Sequence, residues 1–316
     1  MHGRANVTYQ KWSMNNLGLR GPSATRAKRP STLRIITLGA SETFGLYERE
    51  GGEYPRALQD TLTHRISISH TAACSGRSVE VLNAATPGMT LPTIAQDVRL
   101  RLGSLHPDIV TLYPTPPQYL APDAPTTAPR SRVAIELPAS NAYYPRSLDA
   151  VRAEFKQLLP NFLVARLARI ALNMERGRHP AGWLYQSIPQ DRLGAFDSDL
   201  RNVVGSIRLI GAKPVLVTHA NAFMRADHPS PEELTLELRF HQRATPQVLL
   251  AFDSAARAVT LRVARDSSLT VVDAAQDLST GEGGVFADFL HFTDYGAARI
   301  ASVIADTLTP QITCSN

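Results

Sequence analysis

Two short polar blocks contain the side chains that could carry out nucleophilic chemistry. Ser41 lies in the segment Gly39-Ala-Ser-Glu-Thr-Phe-Gly45, directly after an apolar run. Near the C-terminus, Asp288 precedes His291 by three residues. This spacing lets the carboxylate accept a hydrogen bond from one imidazole nitrogen while the other nitrogen faces a serine. A Ser-His-Asp set of this kind would transfer an acyl group through a covalent intermediate on the serine.

A third block, Asn83-Ala-Ala-Thr-Pro-Gly88, supplies a glycine whose backbone N–H is not obstructed by a side chain. The N–H groups of Ser41 and Gly88 would then bind the oxyanion of the reaction. Each block also has an ordinary structural explanation when it is taken alone. Gly-x-Ser after a strand is common as a helix cap, a glycine in such a loop is a simple turn, and Asp-x-x-His forms surface ion pairs.

The periodicity of apolar residues predicts strands and helices that alternate along the chain. Buried strands are predicted at 33–38, 79–83, 108–113, 214–218 and 269–273. Helices are predicted at 54–66, 91–105 and 195–210, from Thr245-Pro246 onward, and at 293–308. The alternation predicts an α/β fold with three α/β/α layers around a central parallel sheet. Because ligands bind at the carboxyl ends of such strands, the polar blocks fall where a site is expected.

Two regions interrupt this pattern and define the predicted domain organisation. Residues 1–32 are polar and aperiodic, which predicts an arm laid on a hydrolase domain that spans 33–316. Within that domain, residues 119–195 are predicted to form an insertion with a helix over 148–174, which would act as a lid or cap. Its basic residues either face solvent or hold the helix on an anionic membrane surface, so peripheral membrane contact stays open.

The composition is that of an ordinary globular protein and excludes several classes of function. The 316 residues are 43% hydrophobic and 19% charged, and no apolar run approaches the roughly 20 residues of a membrane span. The net charge is +5, but the basic residues are scattered except near 20–34 and 166–178. No aromatic-basic motif accompanies them, so nucleic acid is not an expected partner, although an acidic substrate stays open.

Cofactor and location follow from what the sequence lacks. Cys74 and Cys314 are the only cysteines and make neither a disulfide framework nor a zinc site. No metal cluster, phosphate loop or dinucleotide motif is present, which predicts chemistry without a cofactor. The N-terminus has no apolar signal core, which predicts a cytoplasmic protein by default, or a periplasmic or secreted one if a leader has been removed.

Taken together and in this order, the three blocks resemble those of the SGNH, or GDSL-like, hydrolase superfamily. The Ser block matches 39–45, the Gly block 83–88 and the Asp-x-x-His block 288–291, and the likeness covers most of the chain outside 119–195. The arm segment Asn15-Asn-Leu-Gly-Leu-Arg-Gly-Pro22 also resembles the segment before the first strand in a group of bacterial members. The resemblance implies a flavodoxin-like fold with Ser41, His291 and Asp288 as a catalytic triad.

The sequence departs from the family pattern at two places. Ala40 stands where the family usually has Asp, which is a mild change because that residue is not the nucleophile. Members also have Gly-x-Asn-Asp after the strand at 108–113, and its Asn donates to the oxyanion. Here the chain reads Pro114-Thr-Pro-Pro-Gln-Tyr119, so a proline occupies the Asn position. The site is therefore either weakened or rebuilt, and the side chains that could replace the missing donor are those of Gln118, His219 and Asn221.

These features predict a serine-dependent ester hydrolase, either an esterase or a carbohydrate O-deacetylase. A small-molecule or carbohydrate ester is the substrate class that the resemblance implies. Two alternatives stay open. The first is an O-acyltransferase that uses the same groups on a sugar or small-molecule alcohol, with water excluded by the insertion. The second is a catalytically impaired binding protein, against which the retention of Ser41, Asp288 and His291 argues.

Overall fold

A computed structural model of the protein describes residues 3–9, 11–68, 78–121, 161–224, 231–279 and 283–312. Most of the predicted insertion therefore lies outside the described residues, including the first part of its helix at 148–160. Cys74 and Cys314 lie outside them as well.

The centre of the fold is a parallel sheet of five strands. The strands of the chain are β1 (Val7–Tyr9), β2 (Trp12–Met14), β3 (Thr32–Leu38), β4 (Ser78–Asn83), β5 (Ile109–Leu112), β6 (Lys213–Val217) and β7 (Thr270–Val272). The sheet has the order β4-β3-β5-β6-β7, and every neighbouring pair in it is parallel. Counted from β3, this is the order 2-1-3-4-5 of the flavodoxin-like arrangement. The predicted fold class is confirmed.

Helices cover both faces of this sheet. They are α1 (Ser41–Phe44), α2 (Tyr54–Ile68), α3 (Leu91–Leu100), α4 (Asn161–Gly177), α5 (Gln190–Leu209), α6 (Pro231–Leu238), α7 (Pro246–Asp266), α8 (Ala274–Ser279) and α9 (Asp294–Ile312). The helix predicted at 91–105 ends at Leu100 and is followed by a short 3₁₀ helix, Leu102–Leu105. The cap predicted for α7 is confirmed, since Thr245 Oγ1 accepts from the backbone N–H of Val248 at 3.2 Å.

Successive strand residues point to opposite sides and build two apolar clusters. In β3, Ile36 and Leu38 join the cluster under α3, α5 and α7, whereas Ile35 joins the cluster under α2 and α9. All three side chains are fully buried. A strand that is apolar on both faces is typical of a parallel sheet covered on both sides, which explains the continuous apolar runs in the sequence.

The N-terminal arm is attached to the edge of the sheet next to the candidate site. It contains the antiparallel hairpin β1-β2, which its aperiodic sequence did not predict. The N–H of Arg20 donates to the carbonyl of Asn83 at 3.1 Å, and its buried guanidinium contacts the carbonyls of Phe44 and Gly45 at the end of α1. The guanidinium also pairs with Glu53 at 3.4 Å. The arm therefore supports the segment that carries Ser41.

The described part of the predicted insertion includes α4 and the start of α5. Of the four arginines at 166–178, one is held by the protein, since Arg176 donates to the carbonyls of Gln242 and Ala244 at 2.9 and 2.6 Å. The other three are exposed, namely Arg166, Arg169 and Arg178. None of the helices in the described ranges is both long enough and apolar enough to cross a membrane. Peripheral membrane contact stays a prediction.

Candidate active site

Ser41 is positioned by a tight turn between β3 and α1. A Cβ on Gly39 would lie 2.1 Å from Thr43 Oγ1 and 2.9 Å from the carbonyl oxygen of Tyr113, so no larger residue fits there. Ala40 is the N-cap of α1, and Ser41 is the first residue of the helix. Gly45 ends α1 in the left-handed conformation with φ of 87°, and its N–H donates to the carbonyl of Ser41. The sharp turn presents Ser41 at the carboxyl edge of the sheet.

His291 is positioned by a loop that is paired with itself and anchored in the core. Phe286 and Phe292 form an antiparallel bridge, and the N–H of Ala287 donates to the carbonyl of His291 at 2.8 Å. The Phe292 side chain is fully buried under α2 and α9. A Cβ on Gly296 would lie 1.9 Å from the carbonyl oxygen of Val285, so the first turn of α9 must approach the loop at a glycine.

The structure brings the three predicted triad residues into one hydrogen-bonded chain. His291 Nε2 lies 2.9 Å from Ser41 Oγ, and His291 Nδ1 lies 2.8 Å from Asp288 Oδ2. The carboxylate is held by its own loop, because Asp288 Oδ1 accepts from the backbone N–H groups of Leu290 and His291. Asp288 and His291 are 247 and 250 residues away from Ser41 in sequence, so this arrangement depends on the fold. Their catalytic roles stay a prediction.

The surroundings of His291 and Asp288 shift the pKa values of both side chains. Burial disfavours the charged form of His291, but the hydrogen bond and the charge of Asp288 outweigh burial and raise the pKa of His291. Burial would raise the pKa of Asp288, yet its hydrogen bond with His291 lowers that pKa, so the carboxylate is ionised at neutral pH. The ring of Tyr47 packs on His291 with centroids 5.0 Å apart. Burial and the nearby Asp288 raise the pKa of Tyr47 to about 12, so its hydroxyl stays neutral.

The two predicted backbone donors follow neighbouring strands. Gly88 lies in the loop after β4, is exposed, and has φ of 77°. A Cβ there would meet nothing within 4 Å, so the space in front of it is open. Among the described residues, the backbone N–H groups of Ser41 and Gly88 donate to no protein acceptor. Both are free to bind an oxyanion, which is the use predicted for them.

The three side chains that could replace the missing third donor differ in their surroundings. Gln118 lies half-buried in the 3₁₀ helix Pro116–Leu120, and within the described ranges its side chain makes no hydrogen bond with Ser41 or Gly88. Asn221 Nδ2 donates to Asp253 Oδ2 at 2.6 Å. His219 Nδ1 lies 2.7 Å from Asp253 Oδ1, and its other ring nitrogen faces Glu42. A role for any of them in binding the oxyanion stays a prediction.

Sequence reasoning missed the carboxylates that surround His219. Glu42 follows the predicted nucleophile directly, and its side chain is completely buried. Asp253 lies among the buried apolar residues of α7. A carboxylate on the apolar face of an amphipathic helix was the available signal, because such groups are buried only when they have partners. Glu42 gave no such signal, since four residues of helix are too few for periodicity.

A search for metal sites found none of the usual clusters in the described parts of the chain. No group of three or more His, Cys, Asp or Glu residues there has the arrangement of a metal centre.

Comparisons with known proteins identify structural neighbours but no sequence relatives. No family model and no curated protein matches the chain. A lipase/acylhydrolase from Enterococcus faecalis is 15% identical with a TM-score of 0.49, over 90% of this chain and 98% of that one. A catalytic mutant of an acetylxylan esterase from Geobacillus stearothermophilus is 13% identical with a TM-score of 0.47, over 87% and 93% of the two chains.

A G-D-S-L family protein from Desulfitobacterium hafniense DCB-2 is 11% identical with a TM-score of 0.46, over 87% of this chain and 99% of that one. These values describe a distant similarity of fold. The class of fold follows from the protein's own features, namely the 2-1-3-4-5 parallel sheet with the Ser, Gly and Asp-x-x-His blocks at its carboxyl edge. These features confirm the SGNH-like hydrolase fold predicted from the sequence.

Proposed function

We propose that the protein is a serine-dependent ester hydrolase in which Ser41 is the nucleophile, His291 the general base and Asp288 its partner. The observation that supports this most directly is the continuous chain from Ser41 Oγ through both nitrogens of His291 to the Asp288 carboxylate, with distances of 2.9 and 2.8 Å. Both contacts lie within the range in which a general base takes up the proton of a nucleophile.

The reaction would proceed in two steps. His291 Nε2 takes the proton of the Ser41 hydroxyl while Oγ attacks the carbonyl carbon of the ester, and the carbonyl oxygen becomes an oxyanion. The N–H groups of Ser41 and Gly88 bind this oxyanion. The C–O bond to the alcohol then breaks, and the alcohol leaves with the proton from His291. A water molecule, deprotonated by His291, attacks the acyl-enzyme and releases the acid together with free Ser41.

Asp288 makes this proton transfer favourable by its position. Its ionised carboxylate accepts the Nδ1 proton, which leaves Nε2 as the basic nitrogen that faces Ser41. It also stabilises the imidazolium that forms in each step. The substrate class implied by the resemblance, a carbohydrate or small-molecule ester, belongs to this proposal. The open space in front of Gly88 is compatible with either kind of ester.

The test is labelling of the purified protein with a fluorophosphonate, which phosphonylates an activated serine with loss of fluoride, followed by peptide mass spectrometry. We expect one adduct, on Ser41, that is absent from His291→Ala. The matched control is His64→Ala, since His64 is exposed on α2 outside the site. An unlabelled Ser41 in folded protein would overturn the proposal and favour the binding-protein alternative.

A second assay separates hydrolysis from transfer once labelling has succeeded. Acyl release from a p-nitrophenyl ester is measured with and without an added alcohol, and the products are analysed. We expect the free acid as the main product under both conditions. A transfer product in excess of the acid would replace the hydrolase with an O-acyltransferase that uses the same residues.

A further inference from the structure

Glu42 is a buried carboxylate in direct contact with the proposed nucleophile. Its Oε2 accepts from Ser41 Oγ at 3.1 Å, and its Oε1 accepts from Thr115 Oγ1 at 2.8 Å. The residue has no exposed surface. An ionised carboxylate in such a place is strongly disfavoured unless a charge and hydrogen bonds compensate for the lost water. The role of Glu42 therefore depends on which group supplies the compensating charge.

His219 supplies the compensating charge from the carboxyl end of β6. Its Nε2 lies 3.6 Å from Glu42 Oε1, which is an ion-pair distance rather than a hydrogen bond. Its Nδ1 lies 2.7 Å from Asp253 Oδ1. Burial disfavours the imidazolium, but the two carboxylates outweigh burial and raise the pKa of His219 to about 10. His219 is therefore charged at neutral pH, and contact with it lowers the pKa of Glu42 despite burial.

The network is assembled from separate elements. Glu42 comes from α1, Thr115 from the segment after β5, His219 from the segment after β6 and Asp253 from the apolar face of α7. Asn221 adds a further hydrogen bond to Asp253 at 2.6 Å. A salt bridge of this kind is a poor way to stabilise a core, because well-packed apolar residues do so equally well. Because the network ends at the Ser41 hydroxyl, it can instead act on the proposed nucleophile.

We propose that Glu42 is a positioning residue of this site: it is a second acceptor for the Ser41 hydroxyl, and Asp253 and His219 hold it charged beside Ser41. This inference rests on the proposed function. When His291 is neutral, the Ser41 proton is shared between His291 Nε2 and Glu42 Oε2. When His291 is protonated, its Nε2–H donates to Ser41, and the Ser41 proton points to Glu42. Glu42 thereby completes the chain that stabilises the protonated histidine.

The titratable groups that lie near His291 come from several elements. Glu42 lies on α1, Asp288 on the same loop, Glu237 on α6, and Tyr47 and Glu48 on the segment after α1. The Tyr47 hydroxyl is neutral and the other four groups are carboxylates, of which only Asp288 and Glu42 are hydrogen-bonded to His291 or to Ser41 within the described residues. Removal of the Glu42 charge should therefore lower the pKa of His291.

The test follows both histidines by ¹⁵N NMR, so that its readout does not depend on turnover. In the wild-type protein we expect His219 to stay doubly protonated through pH 8, and His291 to titrate above its ordinary value. In Glu42→Gln the His291 midpoint should fall by about one pH unit, because one nearby negative charge is lost. The matched control is Asp199→Asn, a buried carboxylate bonded to Tyr119 at 2.6 Å on another part of the fold, which should leave the midpoint unchanged.

Kinetics then test the effect of Glu42 on the reactivity of Ser41. The rate of fluorophosphonate labelling of Ser41 should fall about tenfold in Glu42→Gln, since a hydrogen bond to a charged group is lost. The acid limb of its pH profile should move to lower pH together with the NMR midpoint. Neutral His219 in the wild-type protein at pH 7, or an unchanged His291 midpoint in folded Glu42→Gln, would overturn the inference. If Glu42→Gln shifts the His291 midpoint but the wild-type protein is labelled at no pH, the proposed function is overturned and the charge coupling between Glu42 and His291 still holds.

Discussion

The molecule contains two aspartate–histidine pairs whose surroundings differ. We name Asp288 with His291 the outer pair, and Asp253 with His219 the inner pair. The side chains of the outer pair are 34% and 15% exposed, whereas those of the inner pair are 2% and 1% exposed. The Asp–His distances are nearly equal, at 2.8 and 2.7 Å. The same contact therefore serves two purposes, which burial and neighbouring charges decide.

In the proposed reaction the outer pair changes its protonation state, whereas the inner pair keeps its proton. His291 has one carboxylate partner on one ring nitrogen and a serine hydroxyl on the other. His219 lies between two carboxylates, Asp253 and Glu42, so its proton is held from both sides. A histidine that exchanges protons needs an environment in which both forms are accessible, whereas a fixed cation needs the opposite.

The largest effect is expected when the outer pair loses its carboxylate. Asp288→Asn should reduce ester hydrolysis by about 10⁴-fold, because His291 loses the acceptor that holds its tautomer and stabilises its charge. Its stability to urea should change little, since a partly exposed pair contributes little to folding. A variant with full activity would show that the outer pair is not catalytic.

The equivalent change in the inner pair should act on stability. Asp253→Asn leaves a buried histidine with one of its two counter-charges, and we expect the free energy of unfolding to fall by about 3 kcal/mol. Urea denaturation followed by circular dichroism measures this change. Asp199→Asn provides the comparison, since its partner Tyr119 is neutral and its loss should cost about 1 kcal/mol. Equal losses in both variants would contradict a charged inner pair.

The pH dependence of stability distinguishes the pairs further. His219 has a folded pKa of about 10, above its ordinary value of 6.5, so its contribution is fully present below pH 6.5 and is lost as pH rises through about 10. We expect the wild-type protein to lose on the order of 2 kcal/mol more between pH 7 and 10 than His219→Gln does. Glu48, whose pKa burial raises to about 7, acts mainly below that window. Parallel stability curves for the two proteins would contradict the prediction.

The smallest effect is expected on the open side of the outer pair. Gly88→Ala keeps the backbone N–H and places its Cβ where nothing lies within 4 Å, so ester hydrolysis should stay close to that of the wild type. Its positive φ should reduce stability by about 1 kcal/mol. Gly39→Ala is the contrasting change, because its Cβ would collide with Thr43 and with the Tyr113 carbonyl and displace Ser41. Similar behaviour of the two variants would show that the turn at Gly39 is not required.

Local patterns in the sequence were sufficient to predict the frame of the protein. Continuous apolar runs mark strands that are buried on both faces, and a polar block after such a strand must lie at the carboxyl edge of the sheet. Ser41, Gly88 and the loop of His291 were identified in this way. The boundaries moved by a few residues: α5 begins at Gln190 rather than 195, and the helix at 91–105 ends at Leu100.

The hairpin of the arm and the role of Arg20 could not be predicted in the same way. Strands β1 and β2 have three residues each, which is too short for a period to be visible. The contact of Arg20 with the end of α1 joins residues that are 24 positions apart and depends on the arm lying along β4. Such contacts follow from packing rather than from a local preference.

The sequence by itself determined the order of the elements, the edge of the sheet where the chemistry-bearing blocks meet, and the identity of Ser41, Asp288 and His291 as candidates. Only the tertiary structure decided that His219 faces Glu42 and Asp253 rather than the solvent. The reason is physical: the charge of a buried histidine depends on the carboxylates that surround it in space. Here those carboxylates come from α1 and α7, which are more than 200 residues apart in the chain.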